Sequence, residues 1–175
     1  NGDGRPDLYI CNDFQTPDRL WINESTPGQV RFRLAPRTAL RHTSLFSMGV
    51  DFGDINRDGR WDFVVADMLS ADHVRRLTTL DGKPSVMVNP ADPLARPQTD
   101  ANTLFLQRRD GSFVETGGFA GVTATDWSWA PAFLDVDLDG YEDLLISNGH
   151  EMEMMDADLS DQVEQEKGRR KMSPR

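Results

Sequence analysis

Apolar positions along the chain fall in runs of four to seven residues, each ended by Gly, Asn, Asp, Pro or another polar residue. The clearest are Arg19-Leu-Trp-Ile-Asn23, Ser47-Met-Gly-Val-Asp-Phe-Gly53, Phe63-Val-Val-Ala66, Thr103-Leu-Phe-Leu-Gln107, Ser128-Trp-Ala-Pro-Ala-Phe-Leu134 and Leu144-Leu-Ile-Ser147. Runs this short, punctuated this way, predict strands rather than helices. Arg109-Asp110-Gly111-Ser112 predicts a hairpin turn, with Asp-Gly between strand-like flanks.

The runs recur in the same order. Arg19–Asn23 leads through Val30-Arg-Phe32 and Ser47–Gly53 to Asp54 and then Phe63–Ala66. Thr103–Gln107 leads through Asp110-Gly-Ser-Phe-Val114 and Ser128–Leu134 to Asp135 and then Leu144–Ser147. The offset is 84 residues between Leu20 and Leu104 and 81 between Asp54 and Asp135, so the likeness extends over a whole unit. Several short strands per repeated unit predict an all-β chain, a partial β-propeller of about two blades plus a clipped one. A solenoid or a sandwich would carry the same pattern.

Two segments break the repeat. Residues 70–102 hold Pro84, Pro90, Pro93 and Pro97 and read as an excursion between blades, serving either as a binding loop or as a tolerated surface insertion. Beyond residue 150 the spacing changes. Met152, Met155, Leu159 and Val163 recur at helical intervals, and Glu166 and Arg170 form an i,i+4 pair, so 151–175 reads as a helical segment with a packing stripe. Its basic end, Arg169-Arg170-Lys171, reads as solvated.

Between the strands stands an aspartate-spaced loop. It is Asp135-Val-Asp137-Leu-Asp139-Gly140-Tyr141-Glu-Asp143, again Asp54-Ile-Asn56-Arg-Asp58-Gly59-Arg60-Trp-Asp62, and in a clipped form Asn1-Gly-Asp3-Gly4-Arg5-Pro-Asp7. Oxygen donors at alternate positions, a glycine for the sharp bend and a closing carboxylate make a cage of hard ligands suited to Ca2+. The expected set is Asp135, Asp137, Asp139 and Asp143 with the backbone carbonyl of Tyr141. By the same offsets it is Asp54, Asn56, Asp58, Arg60 and Asp62, and Asn1, Asp3, Arg5 and Asp7. Asn56 lowers the ligand charge of the second copy, which should bind more weakly. Asn1 and Asp3 take positions three and five of their copy, which reads the chain as part of a longer protein.

An EF-hand begins with similar spacing. It needs a bidentate glutamate at position twelve, where Val65 and Ile146 stand here, and its flanks are helical. A metal-free turn would also use Asp and Gly. Three copies with donors at the same offsets, and carboxylates that repel unless neutralised, favour the ion.

Net charge and the remaining residues narrow the function. The 175 residues carry a net charge of −10, which argues against a nucleic-acid partner. Nine of the 29 acids sit at ligand positions, so much of the acidity is ligand rather than surface. No run approaches membrane-spanning length, and no leader peptide is visible. The single cysteine, Cys11, reads as a small buried residue at a strand end. His42, His73 and His150 are isolated from any catalytic motif, although His150 could line a channel. Ser47, Ser128 and Ser147 have no nucleophile-elbow context. Trp127 and Trp129 share a face by alternation, for core packing or for stacking on a sugar, and Trp21 and Trp61 carry the same two readings.

The stretches Ser47-Met-Gly-Val-Asp-Phe-Gly-Asp54, Asn102-Thr-Leu-Phe105 with Asp110-Gly-Ser-Phe113, Gly121-Val122, Trp127-Ser-Trp129 and Ser147-Asn-Gly-His150 resemble FG-GAP, or VCBS, repeats of integrin-type β-propellers. The likeness is closest to bacterial relatives of cartilage acidic protein, whose propellers precede an ASPIC-type domain. It covers residues 1 to about 150, broken at the insertion. The resemblance implies a Ca2+-stabilised propeller of about seven blades, exported to the periplasm, cell surface or exterior. It implies adhesion or recognition of a protein or glycan rather than catalysis. A propeller-borne polysaccharide lyase and a lectin are the alternatives. Pro131 departs from the Gly-Ala common in the repeat, and the segment after His150 lies outside it.

Overall fold

The computed structural model describes residues 2–14, 16–78, 94–149, 159 and 161–166. Three antiparallel assemblies and one short parallel pair account for its strands. The first sheet is β1 (Leu8–Ile10), β2 (Arg19–Asn23) and β3 (Phe32–Leu34), in that order. The central sheet has four strands: β5 (Gly49–Gly53), β6 (Asp62–Ala66), β8 (Thr103–Gln107) and β9 (Phe113–Glu115). The third pairs β10 (Ser128–Leu134) with β11 (Asp143–Asn148). Between them β4 (Thr43–Ser44) runs parallel to β7 (Gln98–Thr99). The all-β expectation holds, with only the short helices α1 (His73–Thr78) and α2 (Gly117–Ala120) among the named elements. Among the described residues the sheets form no closed ring.

The strands follow from their side chains. In β6, Asp62-Phe-Val-Val-Ala66 is buried at every position, as a central strand covered on both faces should be. Phe63 faces Phe52 on one side and Phe105 on the other. Its ring lies 4.9 Å from that of Tyr9, 4.7 Å from Phe105, 5.0 Å from Phe113 and 5.3 Å from Phe52. Tyr9, Leu20, Ala35, Leu40, Val65 and Phe105 complete the buried cluster, so one core joins the first sheet to the central one. Cys11, just past β1, packs against it, and burial with the nearby negative charge of Asp18 pushes its thiol up to about 12. The expected hairpin at Asp110-Gly111 is present: the Gly111 N–H donates to Arg108 O at 3.0 Å and the Arg108 N–H to Ser112 O at 2.7 Å.

Two expectations are corrected. The repeated sequence unit begins on β2 or β8 and ends on β6 or β11, yet the hydrogen-bonded sheet is β5-β6-β8-β9. Periodicity gives the length of a unit and leaves its phase free; pairing of Val65 with Thr103 and Phe63 with Phe105 decides it. For the same reason the excursion at 70–102 leaves and re-enters one sheet, between neighbours β6 and β8, rather than joining two blades. Arg96 anchors its return. Its guanidinium is buried and donates to Leu40 O at 2.8 Å, Ala35 O at 2.9 Å and Leu94 O at 3.3 Å.

Buried acids tie the sheets together. Asp18 accepts from the hydroxyls of Tyr9 and Ser47, each at 2.7 Å, and from the Asn12 N–H at 2.8 Å. Asp67 accepts from the Ser44 hydroxyl and from the N–H groups of Leu45, Phe46 and Met68. Desolvation raises the Asp18 carboxyl to about 6 against the opposing effect of those donors.

β10 runs beside β5. The Phe133 N–H donates to Asp51 Oδ2 at 2.7 Å, and a Cβ added to Gly49 would stand 2.6 Å from Trp129 O and 3.1 Å from Pro131 Cδ. Glycine at 49 is therefore what lets Pro131, an imino acid with no N–H to pair, close on the neighbouring strand. Residues 161–166 are helical, with Leu159 and Val163 exposed. Met152, Met155 and Arg170 of the expected stripe and ion pair, and His150, lie outside the described residues.

Candidate metal centre

The three aspartate loops share one backbone plan. In the loop at 135–143, the Gly140 N–H donates to Asp135 Oδ2 at 2.9 Å, the Asp139 N–H to Asp137 Oδ1 at 3.1 Å and the Tyr141 N–H to Asp139 Oδ1 at 2.7 Å. In the loop at 54–62 the same offsets appear: Gly59 N–H to Asp54 Oδ2 at 2.8 Å, Asp58 N–H to Asn56 Oδ1 at 3.1 Å, Arg60 N–H to Asp58 Oδ1 at 3.0 Å. The clipped copy keeps the last of these, from Arg5 N–H to Asp3 Oδ1 at 3.0 Å. Each carboxylate or amide thus folds its own loop before any ion is considered.

Position six is a left-handed glycine in all three, with φ of 76° at Gly4, 81° at Gly59 and 87° at Gly140. Position four is left-handed as well: Gly2, Arg57 and Leu138 have φ of 78°, 57° and 62°. A non-glycine residue there costs about 1–2 kcal/mol, which the surrounding amide–carboxylate bonds offset. The repeated glycine marks position six alone, since Arg57 and Leu138 stand at position four of the complete loops. The signal was present in the clipped copy, where Gly2 stands at position four.

The side chains diverge. In the loop at 135–143, oxygens of Asp135, Asp137 and Asp143 lie within 4.8 Å of one another. Asp139 stands outside that group, turned to the Tyr141 N–H, and Asp143 Oδ2 accepts from the Val136 N–H at 3.0 Å. Asp135 Oδ1 is buried with no hydrogen-bond partner. In the loop at 54–62, Arg60 pairs with the Asp58 carboxylate and its Nε donates to Gln107 O at 3.0 Å. Asp62 is buried; Oδ1 accepts from the Gln107 N–H at 2.8 Å and Oδ2 has no partner. Burial, then repulsion from Asp58 and Asp54, pushes the Asp62 carboxyl up, against the pull of its amide donors. The clipped loop repeats this plan: Arg5 pairs with Asp3 at 2.5 Å and donates to Asn23 O at 3.1 Å, while Asp7 accepts from the Asn23 N–H at 2.8 Å. Asn1 lies outside the described residues.

A hard cation fits these residues. A buried carboxylate oxygen without a donor costs free energy, and each complete loop has one, in Asp135 and Asp62. In the loop at 135–143 the like charges converge with no lysine or arginine among them, whereas in the loop at 54–62 Arg60 already meets Asp58; an all-oxygen donor set suits a hard cation such as Ca2+ better than a softer metal.

A family model for the FG-GAP-like repeat matches residues 1–65 and 79–146. The chain belongs to the FG-GAP-like repeat family. No curated protein and no solved structure matches it. Both complete loops of this FG-GAP-like chain lie inside the matched ranges, as do Trp127 and Trp129. Those two rings stack at 6.1 Å, on one face as alternation requires. Trp129 does not pack in the core as expected: it is 47% exposed, with Nε1 donating to Gly149 O at 2.7 Å. Trp61, beside Asp62, is exposed and Trp21 is half-buried. His42 lies 5.8 Å from the Phe105 ring and His73 is exposed. Ser47, Ser128 and Ser147 spend their hydroxyls on Asp18, on Thr125 and Asp126, and on Ala130. Among the described residues no helix is long and apolar enough to cross a membrane.

Proposed function

We propose that this chain is a Ca2+-stabilised part of a β-propeller-type binding scaffold, working outside the cytoplasm and without catalysis of its own. The observation that carries this reading is the convergence of Asp135, Asp137 and Asp143 around a buried, partnerless Asp135 oxygen in an FG-GAP-like repeat. Asp135, Asp137 and Asp143 would hold an ion in one loop, and Asp54, Asn56, Asp58 and Asp62 in the other, with Asp3 and Asp7 in the clipped copy. A bound ion supplies positive charge that neutralises the carboxylates. Asp62 and Asp7 make that neutralisation matter beyond the loop, because the same carboxylates receive the N–H of the last residues of β8 and β2. Fixing the loop therefore fixes the strand that follows it in the sheet.

Such a scaffold would present a rigid surface to a protein or glycan partner, as an adhesion module does. The likeness to bacterial relatives of cartilage acidic protein fits this use. A melting series tests the reading. Raising free Ca2+ to a hundredfold over its dissociation constant should stabilise the chain by about 2.7 kcal/mol per filled site, and EDTA should reverse it. A midpoint that stays put with millimolar Ca2+ and with EDTA would sink the proposal. One observation favours glycan as the partner class: the stacked Trp127–Trp129 pair has its outer ring exposed. Loss of glycan binding in Trp129→Ala, with the melting point kept, supports it.

A further inference from the structure

The two complete loops touch each other. The guanidinium carbon of Arg57, at position four of one, lies 3.9 Å from the ring centroid of Tyr141, at position seven of the other. A terminal nitrogen of the same group is 3.2 Å from where a Cβ on Gly140 would stand. Arg57 is thus laid across residues 140 and 141, whose N–H groups close the cage on Asp135 and Asp139. At its other end, Arg57 is held by its own loop: its backbone is left-handed and its N–H donates to Asp54 O at 3.1 Å. The side-by-side course of β5 and β10 brings the loops together, and the Glu142 carboxylate presses on Gly53 at the same junction.

We propose that the Arg57–Tyr141 contact couples the two ion sites, so that filling either loop raises the affinity of the other. This rests on both loops binding Ca2+. Ordering the loop at 54–62 fixes the backbone that aims Arg57; ordering the loop at 135–143 fixes the ring that receives it. The contact forms fully only when both are ordered, so the first ion bears part of the ordering cost of the second. The cation over the aromatic face gives the contact its strength, and linkage makes the effect reciprocal. Leu138, the position-four counterpart in the other loop, is 85% exposed and provides a matched control.

Calorimetric Ca2+ titration of the full chain tests this, with each loop silenced in turn by Asp54→Asn with Asp58→Asn or by Asp137→Asn with Asp143→Asn. The expected result is that the intact chain fills its sites with affinities about fivefold tighter than the singly silenced chains give. Arg57→Ala should abolish that factor while both sites still fill, Arg57→Lys should retain part of it, and Leu138→Ala should retain all of it. Independent filling in the intact chain, or an unchanged factor in Arg57→Ala, would overturn the coupling and leave the two ion sites standing. Absence of any Ca2+ uptake by the intact chain would instead remove the reading beneath it. Circular dichroism of Arg57→Ala, an exposed turn position, reports whether the fold is kept.

Discussion

The loops at 54–62 and 135–143 have the same amide-to-carboxylate skeleton and different mouths. In the first, position seven is Arg60, whose guanidinium draws Asp58 to itself and clips Gln107. In the second it is Tyr141, which offers no cation to its own loop, and there three carboxylates converge. Backbone geometry is therefore common to the motif, whereas convergence of charge depends on the residue at position seven. The supports differ too. One loop rises from β6, buried throughout, and the other from β11, where Leu145 is 56% exposed.

The largest break should come beneath the first loop. Phe63→Ala removes a ring that meets four others and should cost about 3–5 kcal/mol in chemical denaturation. Leu145→Ala on β11 should cost no more than about 1 kcal/mol. Equal costs would mean that the two sheets are equally load-sharing and that the contrast is wrong.

Acid titration separates the supports next. The folded-state pKa of Asp18 is raised to about 6, above an ordinary carboxylate near 3.9. The native state then holds the proton more tightly than the unfolded chain, so this group's contribution to stability is full below about pH 4 and is lost as pH rises through about 6. Relative to Asp18→Asn, the wild type should lose about 2 kcal/mol between pH 4 and pH 7. A pH-independent difference between the two proteins would contradict the assignment.

Where the supports meet, Gly49→Ala drives a methyl into the Trp129 carbonyl and should cost about 1–3 kcal/mol, read as a lower melting point. The smallest change should sharpen the comparison most. Arg60→Tyr gives the first loop the position-seven residue of the second, losing the bond to Gln107 O at a cost of about 1 kcal/mol without Ca2+. It releases Asp58, and Ca2+ affinity at that loop should rise; a fall would show that Arg60 assists the site.

Much of this was legible beforehand. Aspartates at alternate positions, the position-six glycines and the Asp110-Gly111 turn express local stereochemistry, which a short stretch carries complete. Gly2 announced the left-handed fourth position, unread because Arg57 and Leu138 disguise it in the other copies. Burial of Arg96 was not legible, since its three carbonyl partners come from Leu40, Ala35 and Leu94, two of them more than fifty residues away. Nor was the exposure of Trp129, which depends on what covers β10.

By itself the sequence determined the longer strands, the Asp110-Gly111 turn and the repeated loop with its oxygen donors, because each depends on residues close to one another along the chain. Only the tertiary structure decided where one sheet stops and the next begins, that the excursion at 70–102 joins two neighbouring strands of the central sheet, and that Arg57 of one loop lies on Tyr141 of the other. Those are pairings between distant segments, set by which backbone edges and side-chain faces meet, and a periodic sequence is equally consistent with more than one such arrangement.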